Sequence, residues 1–295
     1  IVGGGIVGCA TAAHQSGHNS GVLHAGIYYA PGIDMAYEYC DLRGIPYKKC
    51  GKLIVAVDRE EISRLENLFD RAQKNNCKNI CIVNSDKIRE IEPYCQGIKA
   101  IWSPHTGIVD WSLVTLKMAE DFKQMGGDVE LEWTLKGIEE SNNSNNPVRL
   151  IDGSGKELFV KYVITCTGLY SDRIAQLSGC SEYPKIVPFR GEYLKLKEEK
   201  RYLVKQANIY PVPDPRFPFL GVHFTPTIYG DVLLGPNAVL ALSREGGRAG
   251  VRAQALDING NLVDDFVFDT PSPGATSSLA IAQMITEKCF EQFEI

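Results

Sequence analysis

The chain opens Ile1-Val2-Gly3-Gly4-Gly5-Ile6-Val7-Gly8, and the Gly3-x-Gly5-x-x-Gly8 turn in it constrains the fold more than any other stretch. The turn lies between an apolar strand and a run of small residues, Cys9-Ala10-Thr11-Ala12-Ala13, suited to a closely packed helix. In such a unit Gly3 makes the tight turn and Gly5 lets backbone N–H groups approach a pyrophosphate. Gly8 lets the helix pack on the sheet, its positive end towards the phosphates. Glycine-rich turns are common, so it is the strand-to-helix junction that points to a dinucleotide site.

A chain of 295 residues has room for two domains. With 31 basic and 36 acidic side chains, a net charge of -5 and no basic run, it lacks the electrostatic footprint of a nucleic-acid binder. The longest apolar runs, such as Leu53–Val57, are strand-sized and too short to span a bilayer. The nine cysteines are scattered, and Cys77 and Cys81 have no histidine beside them to complete a metal set. No metal and no disulfide are expected, and the pattern fits a reducing compartment. Cys166 reads as a buried strand residue with nothing nearby to activate its thiol.

The opening looks abridged. A second strand ending in an acidic residue, which would hold the ribose, is expected about 20 positions after the turn. Instead Ala13 runs directly into His14-Gln15-Ser16-Gly17-His18, and the first acid is Asp34. Segments are therefore expected to be missing after Ala13. No signal peptide is read, and Ile1 is not expected to be the native start.

Further along, Asp58-Arg59-Glu60-Glu61 begins a capping box, and Ile62, Leu65, Leu68, Phe69 and Ala72 follow at helical spacing. A second helix starts near Asp110 or Ser112 and stops at Gly126-Gly127. Alternation over Val129–Trp133 predicts a half-buried strand, and Val148–Ile151 and Glu157–Val160 flank a hairpin turn. Val163–Gly168 reads as a buried strand, followed by a helix from Ser171. Residues 185–240 suggest an antiparallel sheet, Phe266–Phe268 another strand, and Thr276-Ser277-Ser278 the cap of a final helix. This interleaving argues for two domains built from discontinuous segments.

Several stretches together resemble the FAD-dependent oxidoreductases of the D-amino-acid oxidase and glycerol-3-phosphate dehydrogenase superfamily, and within it the branch that oxidises L-2-hydroxyglutarate. They are Ile1–Gly8, His18–Tyr29, Gly51-Lys52-Leu53, Pro104–Asp110, Thr165–Asp172, Val187–Gly191, Gly221–Pro226 and Ala249–Gln254. Against that pattern, sequence is also missing near Ile33, around Arg248-Ala249 and after Asp269. The resemblance implies an α/β fold in which an FAD-binding Rossmann-like domain is interleaved with an antiparallel-sheet α+β substrate domain. The first is expected over 1–44, 111–184 and 249–295, the second over 45–110 and 185–248. It implies FAD as cofactor and a small dicarboxylate, L-2-hydroxyglutarate, oxidised to 2-oxoglutarate. Electrons would pass to a quinone or an electron-transfer protein, and the setting would be mitochondrial, with peripheral contact at the inner membrane.

Oxidising a hydroxy acid requires a base for the hydroxyl proton, and a neutral imidazole suits that role. His223 is the first choice; the bland reading is a satisfied strand histidine. His24 and His105 are rivals. Arg252 is the candidate clamp for a carboxylate, or else pairs with a structural acid. Arg190, Tyr193, Thr225 and Asn237 are further substrate-binding candidates. Cofactor contacts are expected from Gly3, Gly5, Gly8, His18, Asn19, Ser20, Gly21, Thr167 and Gly168. The helix beginning near Thr276 would aim its dipole at the flavin. Competing readings are an amine or amino-acid oxidase on the same fold, an NAD-dependent dehydrogenase sharing the glycine turn, and a flavin-binding partner protein without turnover.

Overall fold

The computed structural model describes residues 1–3, 19–27, 32–216, 220–241, 250–263 and 275–293. In chain order the first half runs β1 Val22–Leu23, α1 Ile33–Arg43, β2 Tyr47–Lys48, β3 Lys52–Ala56, α2 Glu60–Lys74, β4 Cys81–Asn84, α3 Ser85–Ile91, β5 Lys99–Ser103, β6 Gly107–Val109 and α4 Trp111–Gln124. A small meander follows, β7 Leu135–Glu140, β8 Val148–Asp152 and β9 Glu157–Val160, and then α5 Ser171–Leu177. The remainder is β10 Lys185–Gly191, β11 Leu194–Lys195, β12 Asn208–Pro211, β13 His223–Pro226, β14 Val232–Gly235, β15 Val239–Leu240, β16 Gly250–Leu256 and α6 Ser278–Phe293.

The largest sheet has seven strands in the order β11-β14-β13-β12-β3-β5-β4. β3 is buried at all five positions, because helices cover both of its faces at this end. On one face Ile54, Ala56, Ile101 and Tyr210 pack against Leu65, Leu68 and Ala72 of α2. On the other, Leu53, Val55, Val83 and Ala100 pack against Ile88 and Ile91 of α3. The capping box of α2 forms with its return bond shifted by one residue: Glu61 N–H donates to Asp58 Oδ1 at 3.0 Å, and Glu61 Oε2 accepts from Val57 N–H at 2.7 Å.

Three smaller sheets complete the topology: β1-β6-β2, β15-β10-β16 and β7-β8-β9. A second core lies where α1 and α4 meet β1 and β6, built on Leu23, Ile33, Tyr37, Cys40, Val109, Trp111 and Met118. In α1, Ile33, Ala36, Tyr37 and Cys40 are buried at helical spacing, and Gly44 closes the helix with φ +63°. Asp110 caps α4 by accepting from Ser112 N–H at 2.8 Å and Leu113 N–H at 3.3 Å. The division expected at 184/185 and 248/249 runs through the β15-β10-β16 sheet, whose long pairing joins Lys185–Gly191 to Gly250–Leu256.

The structure corrects two expectations. Residues 129–133 form no strand; Glu132 adopts φ +58°, which breaks the extended run, and the strand begins at Leu135. Val163–Gly168 is not a fully buried strand. It pairs through a parallel bridge at Val2↔Thr165, and Thr165 is exposed. Cys166 is accordingly half-buried rather than buried. Within 185–240 the strands pair antiparallel as expected, and β12 additionally runs parallel to β3, which lies outside that range. The strand expected at Phe266–Phe268 lies outside the described residues.

One buried acid ties the far end of the large sheet together. The Glu92 carboxylate accepts from the backbone N–H groups of Lys205, Gln206 and Ala207 at 2.7, 2.8 and 2.6 Å. Removing it leaves those donors unpaired. Glu92→Ala should lower stability by about 3 kcal/mol, and Glu92→Gln by less, in urea unfolding followed by tryptophan fluorescence; an unchanged midpoint for the alanine variant would contradict this.

Candidate active site

The glycine turn begins as a dinucleotide site requires. Val2 N–H donates to Ile164 O at 2.8 Å and Cys166 N–H donates to Val2 O at 2.6 Å, so two parallel segments end side by side. Gly3 follows with φ +132°, and a Cβ there would overlap the Cys166 carbonyl. No L side chain fits. Thr167 and Gly168 continue from the same edge, Gly168 at φ +51°. This is the carboxyl end of a parallel pair, where cofactors bind in such folds. Gly5, Gly8 and His18 lie outside the described residues.

The loop after residue 18 is held to the same region. Asn19 Oδ1 accepts from Gly21 N–H at 2.7 Å, and Gly21 O accepts from Val109 N–H at 2.8 Å. Ser20 meets the Tyr193 hydroxyl, whose pKa burial pushes up to about 12 against the opposing effect of that hydrogen bond. Thr276 is buried, accepting from His24 N–H at 3.2 Å and donating to Val22 O at 3.3 Å. The start of α6 is thereby fastened beside β1.

The chemistry gathers on one face of the large sheet. Register places Ser103, Lys52 and Asn208 opposite one another, and the antiparallel β12–β13 pairing extends that rung to Thr225. All four side chains are buried. The next rung along the strands is Ile101, Ile54, Tyr210 and His223, where α2 begins to cover the sheet. One face is therefore apolar beneath the helix and polar beyond it.

His223 stacks on Tyr210, ring centres 3.8 Å apart and 14° from coplanar. Its Nδ1 lies 2.9 Å from Gly221 O. A carbonyl only accepts, so Nδ1 carries the proton and Nε2 keeps its lone pair. Burial, offset by that hydrogen bond and reinforced by Lys52, lowers the His223 pKa to about 4. His24 is held well below its usual value, chiefly by burial and then by Lys52 and His223. Burial lowers Lys52 to about 7, and its Nζ lies 4.9 Å from the Tyr210 ring centre.

Among the described residues, His24 Nδ1, His223 Nε2, Asn208 Oδ1, Thr225 Oγ1 and Gln254 Oε1 are sealed from solvent with no hydrogen-bond partner. Such atoms are costly without a ligand or water to satisfy them. Asn208 and Thr225 lie on the polar rung of this sheet face, His223 on the next rung, and His24 close to Lys52 and His223. Together with the Gly3 edge they fit a site built to receive a cofactor and a polar substrate.

The remaining candidates are placed differently. Arg190 pairs with Glu192 at 3.0 Å, and Asn237 bonds the same residue through Glu192 N–H at 2.8 Å and its own Nδ2 at 3.1 Å. Both have a structural partner at the surface. His105 is engaged with Asp34 at 2.8 Å. Arg252 lies on β16 opposite Phe189, and strand alternation puts it on the same face as Gln254, away from Val251 and Ala255. Lys52, Asn208 and Gln254 were missed as site residues from sequence. A lysine opening the apolar run Lys52–Val57 was the available signal.

Two predictions follow from this geometry. Gly3→Ala should abolish retention of FAD, read as loss of the yellow 450-nm-region absorbance on purification; a fully loaded variant would contradict the close approach. An imidazole with a depressed folded pKa takes up its proton preferentially in the unfolded chain, so stability falls as pH drops from about 6.5 towards 4. In calorimetric scans over that window, His223→Gln should show a shallower fall in Tm than the unsubstituted protein.

A family model described as FAD dependent oxidoreductase matches residues 12–266. Mitochondrial L-2-hydroxyglutarate dehydrogenase of Caenorhabditis elegans is 47% identical, the match taking in 100% of this chain and 93% of that protein. The human protein of the same name is 43% identical, over 100% of this chain and 89% of its own length. The worm alignment runs over 405 residues against the 295 of this chain, so the relatives carry stretches that this sequence lacks, in keeping with the segments expected to be missing. Among solved structures, the FAD-bound L-alpha-glycerophosphate oxidase of Mycoplasma pneumoniae superposes with a TM-score of 0.78 at 20% identity, covering 96% of this chain and 91% of that one. Glycine oxidase of Geobacillus kaustophilus gives 0.75 at 15%, covering 97% and 92%. The chain belongs to the FAD-dependent oxidoreductases and, within them, to the L-2-hydroxyglutarate dehydrogenase family.

Proposed function

We propose that the protein oxidises L-2-hydroxyglutarate to 2-oxoglutarate. FAD, when bound, supplies the acceptor for the hydride from C2. The observation that carries this reading is the sealed Nε2 of His223, with its lone pair fixed by the Nδ1–H to Gly221 O contact. That nitrogen takes the C2 hydroxyl proton as the C2 hydride leaves, and the C2–O bond becomes a carbonyl. The low pKa keeps His223 neutral at neutral pH. Thr225 and Tyr193 orient the substrate by hydrogen bonds, and Arg252 clamps the carboxylate attached to C2. Gly3, Ser20, Gly21, Thr167 and Gly168 would hold FAD through backbone and short polar groups. The start of α6 at Thr276 would favour negative charge beside it. The electron pair then passes to a quinone or an electron-transfer protein at the mitochondrial inner membrane. In this reading the large sheet is the substrate side, and the division expected at 248/249 falls between the paired strands β10 and β16 of one sheet.

Anaerobic addition of L-2-hydroxyglutarate should bleach the visible flavin band. Bleaching by glycine or sarcosine instead would make the protein an amine oxidase, and bleaching by neither would leave a flavin-binding partner protein. His223→Ala should slow the reduction by roughly 10²–10⁴-fold with FAD content retained. A comparable loss in His24→Ala, with His223→Ala near normal, would move the base to His24.

A further inference from the structure

We propose that Lys52 is the specificity residue for the second carboxylate, holding the C5 end of the five-carbon diacid while the imidazole works at C2. The assignment rests on the substrate reading above. Its basis is placement. Lys52 lies in the buried polar rung between Ser103 and Asn208, on the sheet face that also carries Thr225 and His223. β12 separates its strand from that of His223, and Tyr210 on β12 stands between the two side chains. The Lys52 Nζ lies 4.9 Å from the Tyr210 ring centre, and the His223 ring lies 3.8 Å from it. The ammonium and the imidazole thus both meet Tyr210, from the two strands that flank β12. A group bonded directly to C2 would sit against the imidazole. A carboxylate three bonds further along the chain reaches the lysine.

Charge supports the same assignment. The groups around Lys52 are His24, His223, Tyr210, Cys77, Ser103, Asn208 and Thr225. Both histidines are held neutral, and burial pushes the Cys77 thiol up to about 11. Lys52 is then the group of this set that supplies positive charge near neutral pH, and its lowered pKa of about 7 means that an arriving anion draws it to the protonated form. Asn208 Oδ1 and Thr225 Oγ1, both buried and unpartnered among the described residues, stand on the same rung as Lys52. The Asn208 amide nitrogen already donates to Gly51 O at 3.0 Å, so its oxygen is the atom left for a ligand hydroxyl or bridging water.

The test compares substrates with and without the distal carboxylate on the purified, FAD-loaded protein. In Lys52→Met, KM for L-2-hydroxyglutarate should rise about 100-fold with kcat within about threefold, while kcat/KM for L-2-hydroxybutyrate should change by less than about threefold. Calorimetric Kd values should follow: about 100-fold weaker for 2-oxoglutarate and nearly unchanged for 2-oxobutyrate. In the unsubstituted protein 2-oxoglutarate affinity should decline as pH rises above about 7, and that decline should vanish in the variant. Lys52→Gln serves as the second variant if the methionine protein does not retain FAD. Equal losses for the two hydroxy acids, or unchanged binding of 2-oxoglutarate, would overturn the assignment of Lys52 alone. If the unsubstituted protein neither binds 2-oxoglutarate nor is reduced by L-2-hydroxyglutarate, the substrate reading and the lysine's role fall together.

Discussion

Burying polar side chains in a sheet face, with Asn208 Oδ1 and Thr225 Oγ1 left unpartnered among the described residues, is the constraint from which the rest of this structure follows. The large sheet needs one face dry to be stable, and α2 supplies that cover over Ile54, Ala56, Ile101 and Tyr210. One rung further, the same strands turn Ser103, Lys52, Asn208 and Thr225 into the same face. The period of two makes this unavoidable: residues two apart share a face, so the polar rung cannot be moved to the other side without inverting the apolar one. Folding therefore fixes both the core and the site with one register. The site costs stability, and the helix-covered end offsets that cost.

The edge at Gly3 is governed by backbone instead of side chains. Gly3 meets the Cys166 carbonyl so closely that the two parallel segments can pair only if position 3 has no Cβ. Gly21 packs in a similar way against the Val109 carbonyl, its Cβ position 2.8 Å from that oxygen. The first approach joins the opening residues to the edge at Thr167–Gly168, and the second joins the loop after residue 18 to the end of β6. Thr276 adds the start of α6 by bonding both Val22 and His24.

Much of this was legible in the residues themselves. The helix at Glu60–Lys74, the cap at Asp110, the hairpin over Val148–Val160 and the final helix all rest on local signals, capping residues and periodicity, that act within a few positions. His223 was legible as a lone imidazole in an apolar strand. The strand expected at Val129–Trp133 fails because alternation cannot register a backbone reversal at Glu132. The parallel pairing of β12 with β3 was hidden because it joins segments more than 150 residues apart. The role of Lys52 was hidden for a related reason. Its burial arises from neighbours on β5 and β12, and a lysine at the start of a strand more often reaches solvent. Arg190 and Asn237 illustrate the converse, since both find a nearby acid, Glu192, that spacing alone did not single out.

The contact between His223 Nδ1 and Gly221 O spans three consecutive residues. Which ring nitrogen remains basic is thus decided inside a single short piece of chain, before any molecule enters and without help from a distant carboxylate. A tautomer chosen so locally depends on its own tripeptide: the Nδ1–H to Gly221 O contact orients the Nε2 lone pair without a partner from any other segment.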